Sequence, residues 1–276
     1  MKLVVAHYGR QVPENPIAAL TEWSDWVAEH IGAETHLTAN FLVSADGHKD
    51  GEAYRSDIHK ATLCAELERG NVAQLTLTSM ASKPSGYMAF EYDWTALLDV
   101  TTGRFGPACV LVLDADEQQS TSDLSALCDA YGVLARRLIN TGYAFIAAMP
   151  QDFMPIGYSI GLACGGAPEE FVYDANAWRR YARKECDRSL RNVFGYNILN
   201  DAHLNLDVGG EPLEAWVSSG SGRGQITPLS GDLHVWTFQK ADPSGFLLWD
   251  CAAVVAVREQ LKQHRFFPWQ RLPGVE

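Results

Sequence analysis

Apolar residues recur at helical spacing in two long segments of the chain. In the first, Asn15 is a candidate N-cap, Pro16 suits the first helical position, and Gly32 follows the last apolar residue. The apolar side chains in between are Ile17, Leu20, Trp23, Val27 and Ile31. The second segment covers residues 121–140, lines one face with apolar residues and stops at Gly142. Each segment is predicted to be an amphipathic helix with one buried face.

Shorter apolar or alternating runs predict strands before, between and after these two helices. The predicted strands are Leu3–Ala6, Leu37–Val43, Gln74–Met80, Tyr87–Trp94, Cys109–Leu113, Tyr143–Ala148, Glu214–Val217 and Leu233–Gln239. Three further helices are predicted at Ile58–Leu67, Ala175–Leu190 and Phe246–Lys262. Because Gln74–Met80 and Tyr87–Trp94 flank a turn that holds proline and glycine, these two strands are expected to form a hairpin.

Glycine and proline concentrate between residues 151 and 168, which predicts an irregular connection and a domain seam there. The sequence therefore predicts an N-terminal α/β domain over residues 1–150 and a C-terminal α+β domain over residues 151–276. The two are expected to pack closely as one unit. The predicted fold class is α/β (α+β), with a largely antiparallel mixed sheet flanked by helices.

Composition and charge reduce the number of functional classes that fit this chain. Of 276 residues, 47% are hydrophobic, which is enough for a large core, and the 22 basic and 34 acidic residues give a net charge of −12. A surface this acidic repels nucleic-acid phosphates and anionic membranes and attracts basic partners. The opening MKLVVAHYGR lacks the apolar run of a signal peptide, and no apolar segment is long enough to span a bilayer. A cytoplasmic protein is expected.

Gly157-Tyr158-Ser159-Ile160-Gly161 matches the G-x-S-x-G pattern of a nucleophile elbow, with Ser159 as the candidate nucleophile. Asp232 and His264 follow in the required chain order. The surroundings are unfavourable, because Pro155 falls in the strand that such an elbow needs. The sequence favours an ordinary serine in a strand or loop. A serine hydrolase that uses Ser159 is the alternative function.

Other candidate sites are weaker. The histidines and the six scattered cysteines show no zinc-ligand spacing, and Gly220–Gly224 matches neither a P-loop nor a dinucleotide fingerprint. No metal and no cofactor are predicted. A basic segment is predicted to be a solvated helix face with local ion pairs. Its bases are Arg179, Arg180, Arg183, Lys184, Arg188 and Arg191.

The segment from Glu91 to Asp129 carries eight carboxylates and a single base, Arg104. Solubility is one interpretation, and a docking face for a basic partner is the other. Trp269 lies in a proline-flanked tail and is a candidate exposed anchor for that partner. The candidate partner-binding residues are Asp93, Asp99, Asp114, Asp116, Glu117 and Trp269.

Two C-terminal stretches resemble a recurring pattern in bacterial proteins encoded beside polymorphic toxins. They are YNILNDAHLNLDVGGEPLEAWV (196–217) and GRGQITPLSGDLHVWTF (222–238). The N-terminal half, with its opening strand, Trp-containing helix and hairpin QLTLTSM…YMAFEYDW, is similar in layout to immunity proteins that accompany restriction-endonuclease-like toxins. The chain thus resembles the TsiT-type immunity proteins of type VI secretion systems. The shared features are structural, so no functional residue is carried over.

The resemblance implies a cytoplasmic antidote that binds and neutralises a cognate secreted toxin, with a nuclease effector as the expected class. Such a protein needs no active site, and negative charge steers it onto a cationic nucleic-acid groove. The expected partner is a basic toxin protein. A scaffold protein unrelated to toxins is a further alternative.

Overall fold

The computed structural model describes residues 1–31, 36–43, 52–55, 72–80, 94–101, 106–114, 121–162, 167–238 and 248–271. The predicted helix at 58–67 and the first seven residues of the predicted strand at 87–94 lie outside this part of the chain. In the described residues, no helix is long and apolar enough to cross a membrane.

A ten-stranded open sheet forms the middle of the molecule. Its strands are β1 (Lys2–Gly9), β2 (His36–Val43), β3 (Glu52–Arg55), β4 (Val72–Met80), β5 (Trp94–Thr101), β6 (Ala108–Asp114), β7 (Thr141–Met149), β8 (Tyr196–Asn200), β11 (Gln225–Ser230) and β12 (Leu233–Thr237). Their order across the sheet is β11-β12-β8-β7-β1-β6-β5-β4-β2-β3. Neighbouring strands pair antiparallel throughout this order. The α+β fold with an antiparallel sheet is confirmed.

The described helices are α1 (Pro16–Ile31), α2 (Thr121–Ile139), α3 (Pro155–Ile160), α4 (Glu169–Ala177), α5 (Asp201–Leu204), α6 (Leu213–Ser219) and α7 (Ala252–Lys262). A π-helical turn (Trp178–Ala182) and a 3-10 turn (Arg183–Glu185) continue α4, and further 3-10 turns lie at Gln151–Phe153 and Pro268–Arg271. A two-stranded ribbon joins β9 (Asp207–Val208) to β10 (Glu211–Pro212).

The central strands of the sheet are buried on both faces, because their side chains alternate between two separate cores. On β1, Leu3 and Val5 belong to the core under α1 and α2. Val4, Ala6 and Tyr8 belong to the larger core on the opposite face, which contains residues of α3, α4, α6 and α7. A central strand covered on both sides reads as a continuous apolar run, as β6 and β7 do in the sequence.

The predicted helix over residues 16–31 is confirmed, and its cap is visible. The Asn15 side chain accepts a hydrogen bond from the Ala18 amide at 3.0 Å. The Trp23 indole donates to the Tyr131 hydroxyl at 3.2 Å, and that hydroxyl donates to the Val110 carbonyl at 2.9 Å. These bonds join α1 to α2 and α2 to the sheet, so the two helices have fixed positions on its face.

Several sequence predictions in the second half are wrong. Residues 214–217 lie in α6, because Leu213, Trp216 and Val217 bury one helical face at i, i+3 and i+4 spacing. Residues 151–162 include a 3-10 turn and α3, where irregular structure was expected. The predicted helix at 175–190 breaks into α4, a π turn and a 3-10 turn.

The strands β3, β8, β9, β10 and β11 were not predicted from the sequence. β11 contains Pro228, which lacks a backbone donor and is tolerated because this strand is at the sheet edge. β4 pairs with β5, which shares only Trp94 with the described part of the predicted strand at 87–94. β8 pairs with β7, so the sheet continues across residue 150. The division into two domains stays a prediction.

Candidate functional site

The G-x-S-x-G segment forms most of the short helix α3. Met154 precedes the helix with φ 48°, and Gly161 ends it with φ 84°. Ser159 is fully buried, and its Oγ donates to the carbonyl of Pro155 at 2.7 Å. A nucleophile elbow needs an exposed serine on a strand-to-helix turn. In this chain, Pro155 instead begins a short helix and Gly161 ends it.

Ser159 is bound by hydrogen-bond donors. Its carbonyl accepts from the Tyr8 hydroxyl at 2.7 Å and from Nη1 of Arg191 at 2.9 Å. The candidate triad partner Asp232 lies at the surface, where it accepts from Arg10 at 2.6 Å. His264 is exposed near the end of the described chain. The structure therefore places Ser159 in a packed interior. Among the described contacts of its hydroxyl there is no general base.

Arg191 is the centre of a buried polar network under the sheet. Its side chain is 0% exposed, and Nε donates to the Asp174 carboxylate at 3.1 Å. Nη1 donates to the Tyr8 hydroxyl at 2.7 Å, and Nη2 donates to the Tyr158 carbonyl at 2.6 Å. The guanidinium also stacks 4.0 Å from the centre of the Tyr158 ring. One side chain thereby joins β1, α3 and α4.

Burial sets the ionisation of this network. It raises the pKa of Asp174 above the ordinary carboxyl value, and Arg191 only partly opposes that rise. Burial also raises the pKa of Tyr8 and of Tyr158. The two phenols are therefore neutral donors at physiological pH, and Tyr158 donates to Asp174. The network holds α3 and α4 against each other, and its polar side chains are buried from solvent.

Two members of the predicted basic helix face are inside the protein, which corrects that prediction. Arg191 is one, and Arg183 is the other, paired with Asp99 at 2.6 Å. Only charges that find buried partners are stable in such positions. Arg188, in contrast, has an 80% exposed side chain.

Of the five carboxylates in the predicted docking face, Asp99 and Asp114 lie in the described residues, and partner binding by this face stays a prediction. Asp99 is 2% exposed and is neutralised by Arg183, so its carboxylate is not at the surface. Asp114 is exposed at the end of β6 and forms an ion pair with Lys2 at 2.5 Å. Asp93, Asp116 and Glu117 lie outside the described residues.

Trp269 is not an exposed anchor, which corrects the sequence expectation. It is 8% exposed, and its ring lies parallel to Phe267 with centroids 6.2 Å apart. Lys262 places its ammonium 5.8 Å from the Trp269 ring centre. The aromatic tail closes one end of the larger core, because the proline that flanks Trp269 starts a 3-10 turn that folds back on the protein.

A groove lies between α1 and α2 on the opposite side of the sheet. It contains an open cavity of about 530 Å³. A second cavity of about 370 Å³ shares Ala18, Glu22 and Arg137 with the first and continues past the start of α1. We call the two together the α1–α2 groove. Its charged lining residues are Glu14, Glu22, Asp25, Glu29 and Arg137.

Sequence reasoning missed this groove. Glu22, Asp25 and Glu29 are spaced by three and four residues, which places them on one side of a helix. The segment 16–31 contains those three carboxylates and no lysine or arginine. The signal for the groove is therefore the spacing of the polar residues, whereas the helix prediction rests on the apolar residues.

The chain was also compared with known proteins. No protein-family model matches it, and no curated protein matches it. One solved structure that it resembles is the Pseudomonas aeruginosa T6SS protein PA0821, at a TM-score of 0.50 and 16% sequence identity. The match covers 96% of this chain and 73% of that chain. At this level of identity the likeness shows a shared fold along nearly the whole chain.

Metal-binding groups do not gather in the part of the chain that the structure describes. There, no three histidine, cysteine, aspartate or glutamate side chains lie together as a candidate metal site. Cys109, Cys128 and Cys186 are buried free thiols. Burial raises the pKa of Cys128 and of Cys186 to about 12, so neither is a thiolate at neutral pH.

Proposed function

We propose that this chain is an immunity protein of a type VI secretion system, which binds a cognate effector in the cytoplasm and neutralises it. The observation that carries the proposal is the fold likeness to a T6SS protein over 96% of the chain. Fold alone does not define function, so the surface must supply the rest of the argument.

The surface supports a binding role. The chain has a net charge of −12, and the α1–α2 groove adds a concave acidic surface. Long-range attraction steers an acidic protein onto a basic partner and raises the association rate. A nuclease is the effector class that best complements this charge, because a nucleic-acid groove is itself cationic.

The main test is co-expression with the protein encoded by the neighbouring gene, which is taken as the candidate effector. We expect the chain to restore growth of cells that express the active effector. We also expect the purified chain to form a stable complex with a catalytically inactive effector in size-exclusion chromatography with light scattering. A non-cognate effector of the same class is the control. The proposal would be rejected if the chain neither restored growth nor formed a complex with the cognate effector.

Ser159→Ala separates this function from the hydrolase alternative. The substitution removes one buried hydrogen bond, which costs on the order of 1 kcal/mol. An antidote that acts by binding keeps its protection in this variant, provided that thermal denaturation shows it folded. A folded Ser159→Ala protein that no longer protects would point to chemistry at Ser159.

A further inference from the structure

The α1–α2 groove is open to solvent and has a defined length. The three carboxylates Glu22, Asp25 and Glu29 and the small Ala18 occupy successive turns of α1 along its edge. From Ala18 to Glu29 the helix advances about 17 Å, at roughly 1.5 Å per residue. That length matches about three turns of an α-helix lying alongside.

The bottom of the groove is apolar. Trp26 and Leu134 line it, and Trp26 is half-buried with its ring 5.1 Å from that of Tyr131. Leu134 is only 2% exposed, so the accessible apolar part of the groove floor is the half-buried Trp26. An accessible indole ring with carboxylates along one side is complementary to an amphipathic helix whose apolar face is bordered by lysine or arginine.

Negative charge predominates in the lining of the groove. Its lining holds four carboxylates, from Glu14, Glu22, Asp25 and Glu29, against the guanidinium of Arg137. Arg137 has a 65% exposed side chain and forms an ion pair with Glu22. Exposed pairs of this kind contribute little stability, so the exchange of Arg137 for a partner's base costs little.

We propose that the α1–α2 groove is the docking surface for a basic amphipathic helix of the partner protein. This inference rests on the proposed function, because it names the surface through which the effector is bound. Arg137 occupies the position that a lysine or arginine of the partner takes in the complex. The apolar face of the incoming helix covers Trp26.

The test uses isothermal titration of the full-length chain with a capped amphipathic helical peptide that carries lysine and arginine beside its apolar face. A peptide with glutamate at those positions is the matched control. The groove variant is Glu22→Lys/Asp25→Lys/Glu29→Lys. The matched control variant is Asp152→Lys/Glu185→Lys/Glu214→Lys, whose three carboxylates are exposed elsewhere. Both variants change the net charge equally, so they differ only in position.

We expect wild type to bind the cationic peptide and not the glutamate peptide. The groove variant should bind the cationic peptide at least about tenfold more weakly than the control variant does, because local charges dominate over the shared change in net charge. Arg137→Ala should bind it more tightly than wild type, since a competing base is gone. Equal weakening in the two triple variants, or no peptide binding by wild type, would overturn the groove proposal.

The same variants with the inactive effector separate the two proposals. If wild type and the groove variant bind the effector equally, the groove is not the docking surface and the immunity function stands. If the peptide binds in the groove but wild type does not bind the effector, the proposed function fails and the groove stands as a site for basic helices. Thermal denaturation of each variant confirms that it is folded.

Discussion

At the scale of single residues, buried arginines join separate segments of the fold. Arg183 and Arg191 each pair with one buried carboxylate, and Arg258 donates to the carbonyls of Val193 and Trp249 at 2.8 and 2.9 Å. A guanidinium has five donors in a planar fork, so one side chain can bind acceptors from several segments. These arginines join turns and short helices that have little regular backbone pairing of their own.

The first prediction concerns Arg191→Met. The change removes the guanidinium donor from the buried Asp174 carboxylate and from the carbonyls of Tyr158 and Ser159. Tyr158 still donates to Asp174, and Tyr8 still donates to the Ser159 carbonyl, but the carboxylate loses its buried positive partner. We expect a loss of about 3–5 kcal/mol in the free energy of unfolding, the range for breaking a buried ion pair. Urea denaturation measures it.

The control for that experiment is Arg188→Met, at a side chain that is 80% exposed. It should change the unfolding free energy by less than about 0.5 kcal/mol. The double variant Arg191→Met/Asp174→Leu should be more stable than the sum of its two single variants predicts, because the second change removes the uncompensated carboxylate. Additive losses would show that Arg191 and Asp174 do not act as a pair.

At the scale of elements, turn geometry decides how α3 meets α4. Gly161 has φ 84°, and a Cβ there would lie 2.5 Å from Cβ of Arg179 and 2.8 Å from the Ala175 carbonyl. Only glycine satisfies both the left-handed backbone and this close approach. The second glycine of the G-x-S-x-G pattern therefore ends α3 where this helix approaches α4.

The second prediction compares two glycines with similar backbone angles. Gly222 has φ 77° and no atom within 4 Å of the Cβ position. Gly222→Ala should cost about 1 kcal/mol for the left-handed conformation. Gly161→Ala should cost about 1–3 kcal/mol more, from overpacking against α4. Chemical denaturation of both variants gives the difference, and equal losses would contradict the close approach at Gly161.

At the scale of the whole molecule, two buried histidines connect stability to pH. Burial lowers the pKa of His7 to about 3 and that of His203 to about 4, from an ordinary value of 6.5. Repulsion from Arg136 adds to the effect at His7. The unfolded chain binds these protons more readily than the folded chain does. The contribution of the two neutral histidines to the free energy of unfolding is therefore at its full value above pH 6.5. It falls as the pH decreases toward 4 and then 3.

The third prediction is that His7→Asn and His203→Asn each reduce the acid sensitivity. Each histidine should contribute up to about 1.4 kcal/mol of lost stability per pH unit between pH 6.5 and its folded pKa. The measurement is the unfolding free energy in urea at several pH values. An unchanged slope in the buried variants would contradict the prediction.

The sequence by itself determined the elements whose signals are local. The segments 16–31, 108–114, 121–139 and 141–149 were recognisable because caps, helical spacing and apolar runs act over a few residues. Net charge and the direction of electrostatic attraction also follow from composition alone. The antiparallel α+β class came from the same local patterns.

Only the tertiary structure decided which side chains are inside. Asp99 and Arg191 are charged residues that the sequence placed at the surface, and their burial depends on partners 84 and 17 residues away. The same limit applies to Ser159, which the fold buries in a helix, and to Trp269, which it packs under Lys262. The α1–α2 groove exists because two helices more than 100 positions apart in the sequence lie on one sheet face. Local patterns predict the helices, and long-range packing creates the surface between them.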